Sequence, residues 1–400
     1  MPTTNRHSHL SVILILALLI IFCPLAIDIY LPAFPDIAQA LQVGEQKVQL
    51  TVAIFMLTVG LGQLIAGPLA DKFGRKPIAI TGISLYGIAG LLAYLAPNFS
   101  VLMIARALQG FGACATFVVA FSIVRDIYGS AKSGQMITYL NGIVCFVPAL
   151  APILGAWLTV QFGWRMNFLF LAGFACLGLI ITLLFFKETR PSDSHYQGHI
   201  LDLRRFTPII TTKVFFFNSL LCMIAMSAIL AFVTLAPGWI MTELGGTVGD
   251  FTFWFTLNAI ISIVASFIAP LYIKRHSQRA LKLGVSLLIF SGILILFLSQ
   301  FKTAFTFMLP ILIAALGFAL SLGSAAGMAL SHFPKQAGTA SALIGLMQMS
   351  GAGVLVILTQ VLPFNAPQFI AFHLLLLLPL WLILITRKAN IYHPTTEVTK

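Results

Sequence analysis

Two charged residues sit where charge is expensive. Asp28 lies near the end of an apolar run that begins at Leu10, and Arg106 lies inside another. A charged side chain at the centre of a bilayer costs at least a few kcal/mol, so a chain that keeps one of each sign has a use for them. A carboxylate can take up a proton and lose its charge, whereas a guanidinium stays charged and can bias that exchange. Tyr30 follows Asp28 by two residues and Gln109 follows Arg106 by one helical turn, which adds hydrogen-bonding groups beside each charge. Further polar residues within apolar runs are Gln63, Tyr139, Asn141, Asn218, Asn258 and Gln348. Each of these, together with Tyr30 and Gln109, is a candidate to line a substrate cavity, with an interhelical hydrogen bond as the alternative role. No other chemistry stands out. The chain has no H-E-x-x-H, no G-x-S-x-G and no phosphate-cradling G-x-x-x-x-G-K-[ST], which argues against the common hydrolases and against nucleotide-driven pumping. The five cysteines all fall in apolar runs without metal spacing. His7, His195, His199, His276 and His393 fall in tails or loops. The expectation is a protein that is not an enzyme and has no cofactor, with the proton as coupling ion.

These residues need a membrane scaffold to position them. The 400-residue chain is 59% hydrophobic and only 8% charged, against roughly 25% charged for a soluble protein. Its mean hydropathy is +1.00. Twelve apolar stretches long enough to span a bilayer as helices are read at about 10–31, 48–69, 78–96, 101–124, 136–160, 166–186, 211–236, 250–273, 281–299, 304–330, 338–362 and 367–386. The fold class is therefore all-α membrane protein. With the N-terminus in the cytoplasm, only Lys47, Arg165 and Lys302 lie outside, and every other Lys and Arg except the intramembrane Arg106 lies inside. That bias places both termini in the cytoplasm. It also accounts for the net charge of +12 without nucleic acid as a partner. A polar connection over 187–210 divides the chain into an N-terminal six-helix half (1–186) and a C-terminal six-helix half (211–400). A partial repeat supports the division: Gly67-Pro68-Leu69 leads to Lys72, and Ala269-Pro270-Leu271 leads to Lys274. Two such halves are the layout of the major facilitator architecture. With span one running outward and span four inward, Asp28 and Arg106 come to similar depths at 1.5 Å per residue. A direct pair or a water-bridged network is expected, with a snorkelling Arg106 as the alternative.

Three motifs add a family resemblance. Gly67-Pro-Leu-Ala-Asp71-Lys72-Phe-Gly74-Arg75-Lys76 resembles the loop signature of the major facilitator superfamily, in which it serves as a cytoplasmic gate. Gly67, Asp71, Gly74 and Arg75 would then be gate residues. Arg106-Ala-Leu-Gln109-Gly110 resembles the family's R-x-x-q-G element, whose arginine is associated with proton coupling. Asp28-Ile-Tyr30-Leu-Pro32-Ala-Phe-Pro35 and Ala337-Gly338-Thr339-Ala340-Ser341 resemble the Bcr/CflA branch of drug:proton antiporters. The span-five antiporter element G-P-x-x-G-G is softened here to Ala151-Pro152-Ile-Leu-Gly155-Ala156. The resemblance implies a monomeric antiporter of the bacterial inner membrane that exports drug-like small molecules in exchange for protons. A proton-coupled importer of a nutrient or nucleoside-like compound is the first alternative. An uncoupled channel or lipid-handling protein is the second.

Overall fold

The computed structural model describes residues 6–190, 204, 206–333 and 336–386, with side chains left undescribed at 6–11, 129–135, 137–139, 141–142, 145 and 337. Regular structure among the described residues is entirely helical. The chain forms two compact units, Met1–Leu201 and Asp202–Lys400.

The first unit holds α1 (Arg6–Asp28), α2 (Phe34–Ala40), α3 (Glu45–Phe73), α4 (Arg75–Tyr94), α5 (Phe99–Phe162) and α6 (Arg165–Phe185). α5 packs against α1, α3 and α4, and its 64 residues would run about 96 Å if straight. That is about three hydrocarbon thicknesses, so α5 carries two spans, those expected at 101–124 and 136–160. The polar stretch between them, read from sequence as a loop, is helical. A second difference concerns the first span. The sequence places its end at about residue 31. Instead Pro32 opens a 3₁₀ turn at Leu31–Ala33 and Pro35 sits in the first turn of α2, a position where proline's missing N–H is harmless. The apolar segment continues from Val12 to Ala40, with Asp28 the last residue of α1.

The second unit holds α7 (Thr207–Ile210), α8 (Lys213–Pro237), α9 (Val248–Leu298), α10 (Ala304–Ser331), α11 (Ala337–Gly345), α12 (Ala352–Thr359), α13 (Ala366–Leu375) and α14 (Leu378–Ile385). α9 also carries two spans, joined at His276, whose φ of −141° and ψ of 53° break the helix. π-helical turns follow α8 at Gly238–Glu243 and join α11 to α12 at Leu346–Gly351.

Ten helical segments among the described residues are long and apolar enough to cross a membrane. One of them, Val248–Phe301, contains the two spans that meet at His276, and Phe146–Phe162 is a shorter apolar helix. Together they make up the twelve spans. Large apolar side chains such as Leu184, Leu271 and Val361 are more than two-thirds exposed. In a membrane protein that surface faces lipid rather than water.

Candidate functional site: a buried arginine, a free carboxyl and a charge cluster

Arg106 is completely buried. A guanidinium without water needs compensation, and three elements supply it. From α5 itself, Gln109 Oε1 accepts from Nη1 at 2.5 Å. From α3, the Thr51 carbonyl accepts from Nε at 3.4 Å. Two aromatic faces close the plane, Tyr30 at 4.7 Å and Phe55 at 4.4 Å from Cζ. Such cation–π contacts gain strength when desolvated. Tyr30 is held in turn by a 2.7 Å hydrogen bond between its hydroxyl and Thr51 Oγ1. Because Thr51 Oγ1 donates to the Val48 carbonyl, the tyrosine is the donor. This geometry rules out snorkelling of Arg106.

Asp28 ends α1, which packs against α5, the helix that carries Arg106. The direct pair is not formed. Among the described residues both ion pairs belong to Arg75. Asp28 is 5% exposed. Arg106 Nη2 and Gln109 Nε2 are buried donors without a protein partner. An ionised Asp28 carboxyl can only accept, and the two atoms without a partner among the described residues can only donate.

The cavity candidates divide. Tyr30 and Gln109 are fully buried and engaged in holding Arg106, so they serve the arginine rather than an open surface. Gln63, Asn258 and Gln348 are partly buried, with Gln348 inside the π-helical turn Leu346–Gly351. Asn218 is buried and donates to its own helix at the Val214 carbonyl, 2.8 Å away. The side chains of Tyr139 and Asn141 lie outside the described residues.

At the junction of α3 and α4 the gate motif forms a charge cluster. Arg75 is 4% exposed. Its Nη1 meets Asp71 Oδ1 at 2.5 Å and its Nε meets Asp126 Oδ2 at 2.8 Å. Glu188, just beyond α6, accepts from the backbone N–H of Arg75 at 2.8 Å and of Lys76 at 3.0 Å. It thereby caps the start of α4, where the helix dipole favours negative charge. Arg190 reaches back to the Lys72 carbonyl at 2.6 Å, at the end of α3. Sequence reasoning missed Asp126, Glu188 and Arg190. The available signal was that acids as well as bases gather at the ends of spans two, four and six.

Gly74 links the two helices at φ +106°, and a Cβ there would lie 2.5 Å from Glu188 Oε2. Gly67 differs: a Cβ at that position meets nothing within 4 Å in the structure. Gly74→Ala should therefore lower stability by about 1–3 kcal/mol, from strain in a glycine-only region and displacement of Glu188. Gly67→Ala should leave the stability of this unit unchanged. Thermal melts of the two purified variants check the contrast.

Glu188 also gives the cluster a pH dependence. Burial pushes its carboxyl up, but the N–H groups of Arg75, Arg190, Lys76 and Thr189 outweigh that and hold it below the usual glutamate range. A depressed carboxyl stabilises the fold above the unfolded value, and the contribution disappears as pH falls through the folded value. Melting temperature should therefore drop on acidification below about pH 4.5, and Glu188→Gln should flatten that slope. Melts between neutral and acidic pH measure it.

In the second unit, His373 is a buried residue that sequence reasoning passed over. Its Nδ1 lies 2.9 Å from Ser227 Oγ on α8, and its Nε2 lies 3.1 Å from Thr359 Oγ1 on α12. It ties three helices of that unit together.

A chain of twelve spans in two compact units, with a buried Arg106, a solitary Asp28 and a charged junction after its second span, has the make-up of a polytopic secondary transporter. The comparisons specify the family. The model of the Major Facilitator Superfamily matches residues 16–356. The multidrug resistance protein MdtL of Vibrio parahaemolyticus is 32% identical over 92% of this chain and 94% of its own. The protein of the same name from Salmonella heidelberg is 32% identical over 87% of each. Two crystal structures show the fold. The human organic anion transporter MFSD10 (TETRAN) aligns with a TM-score of 0.70 at 16% identity, covering 96% of this chain and all of that one. A D-xylose-proton symporter aligns with a TM-score of 0.75 at 15% identity, covering 94% and 97%. The chain belongs to the Major Facilitator Superfamily and is a multi-pass membrane protein.

Proposed function

We propose that this protein is a drug:proton antiporter of the bacterial inner membrane, with both termini in the cytoplasm, acting as a monomer on drug-like small molecules. The observation that carries the reading is the pairing of a lone buried carboxyl with a permanently charged, fully enclosed arginine. Asp28 accepts no hydrogen bond from the protein among the described residues, so protonation removes a buried charge without breaking a protein contact. Arg106 supplies a fixed positive field that the anionic form of Asp28 can answer. A proton or a cationic substrate could each relieve Asp28, and their competition would couple the two fluxes. The names of the bacterial relatives support the substrate class. The Bcr/CflA-like stretches around Asp28 and Ala337 support the branch. One charge crossing 100 mV releases about 2.3 kcal/mol, enough for roughly a 50-fold gradient.

The test is energised uptake of a panel of fluorescent and radiolabelled drugs, with nucleosides included, into inside-out vesicles. Accumulation that depends on an acid interior and collapses with a protonophore supports export by antiport. Accumulation only in right-side-out vesicles would indicate a proton-coupled importer. Equilibration insensitive to the proton gradient would indicate an uncoupled pathway.

A further inference from the structure

Asp28 receives no hydrogen bond that could aim it, so its position is set by the backbone that carries it. That backbone is pinned one residue later. A Cβ built on Gly155 of α5 would overlap the Ile29 carbonyl oxygen. The hydrogen that glycine carries in that direction therefore points at this oxygen. Among the described residues no backbone hydrogen bond outside the helices reaches the Ile29 carbonyl, and a Cα–H···O contact suits the close approach. Gly155 is itself held from behind. Thr159 Oγ1 donates to the Gly155 carbonyl at 2.7 Å, and Asn167 Nδ2 on α6 donates to Thr159 Oγ1 at 2.8 Å. Thr159 is 5% exposed and Asn167 is fully buried. The run Asn167–Thr159–Gly155–Ile29 thus connects the start of α6, through α5, to the residue beside Asp28.

We propose that Gly155, backed by Thr159 and Asn167, is a positioning residue that sets where the Asp28 carboxyl sits. The softened span-five element keeps glycine at 155 while replacing it at 151 and 156, which matches the one position where a side chain has no room against α1. An alanine at 155 must push Ile29 off α5 and carry Asp28 with it. Ionisable groups on the elements packed here include Cys23 on α1, Tyr30 beyond its end, Arg75, Lys76, Tyr86 and Tyr94 on α4, Arg106, Cys114, Arg125, Asp126 and Tyr128 on α5, and Arg165 and Cys176 on α6. The variants below leave all of them in place. The consequence for transport rests on the antiport reading, but the placement of the carboxyl does not.

The experiment is carbodiimide labelling of Asp28 in the full-length protein in proteoliposomes, followed by mass spectrometry across a pH series. The reagent modifies the protonated carboxyl, so the midpoint reports its surroundings without any transport. Gly155→Ala should move the midpoint by about one pH unit or more, the scale of a changed local environment. Thr159→Val should move it less, and Thr159→Ser, which keeps the hydroxyl, should retain the wild-type midpoint. Gly173→Ala on α6, where a Cβ meets nothing within 4 Å, should also leave it in place. A folded Gly155→Ala protein with the wild-type midpoint overturns the proposal. If Gly155→Ala does not fold, the threonine pair decides: a shift in the valine variant alone supports the proposal, and equal midpoints in both variants overturn it. Coupled transport that survives Asp28→Asn would remove the antiport reading while leaving the labelling result to stand or fall separately.

Discussion

Asp28→Asn abolishes pH-driven accumulation while substrate exchange across the membrane continues at zero gradient. Asparagine keeps the size and polarity of the side chain but binds no proton in the working range. Because Asp28 makes no ion pair and accepts no hydrogen bond from the protein among the described residues, the substitution breaks no contact of the kind that holds Arg106. The variant should therefore express and melt like the wild type. The expected loss is at least 100-fold in gradient-driven rate, equivalent to about 2.7 kcal/mol at 1.36 kcal/mol per tenfold. Parallel measurement of energised uptake and equilibrium exchange in proteoliposomes separates coupling from binding. An Asp28→Asn protein that still accumulates substrate against its gradient contradicts the assignment.

Arg75→Ala is the second large effect, and it acts on stability. Arg75 is 4% exposed and divides its guanidinium between Asp126, whose side chain is 10% exposed, and Asp71, whose side chain is 44% exposed. Removing one member of a buried pair leaves the other charged and poorly solvated, which costs about 3 kcal/mol. Most of the penalty falls on Asp126, because water already reaches Asp71. For a domain of this size the melting temperature should drop by on the order of 5–10 °C. Adding Asp126→Asn should recover at least half of the loss, since residues in contact couple non-additively. Arg75→Lys should fall between wild type and alanine, because a single ammonium cannot present the planar fork that two carboxylates share. Scanning fluorimetry on the four proteins reads the cycle, and an Arg75→Ala melt equal to wild type contradicts the cluster's role.

The spans were legible because hydrophobic length is a local property, and Asp28 and Arg106 stood out for the same reason: charge inside an apolar run is visible without a fold. Asp71 and Arg75 stood out through the motif that holds both, four residues apart across the junction at Gly74. Their third and fourth partners were not legible. Asp126 and Glu188 lie 51 and 113 residues from Arg75, and in the sequence they are ordinary charges at span ends. Choosing between them requires knowing which helix ends meet. The helical continuation after Asp28 was not legible, because Pro32 and Pro35 fit the start of a helix as well as its end. Tyr30 and Gln109 were marked from sequence as cavity candidates, and their burial against the guanidinium depends on α3 supplying Thr51 and Phe55. His373 shows the same limit. A histidine within an apolar run is visible, but the two hydroxyls that hold it come from positions 227 and 359.

The most direct test of the central claim is proton release on substrate binding. Purified protein in weakly buffered detergent solution is mixed with a drug identified in the vesicle panel, and a pH dye records the change. If Asp28 exchanges a proton for substrate, wild type releases protons in proportion to protein, the amplitude fades at high pH where Asp28 is already ionised, and Asp28→Asn releases none while still binding the drug. Binding without proton release in the wild type, or equal release from the Asp28→Asn variant, would contradict the account.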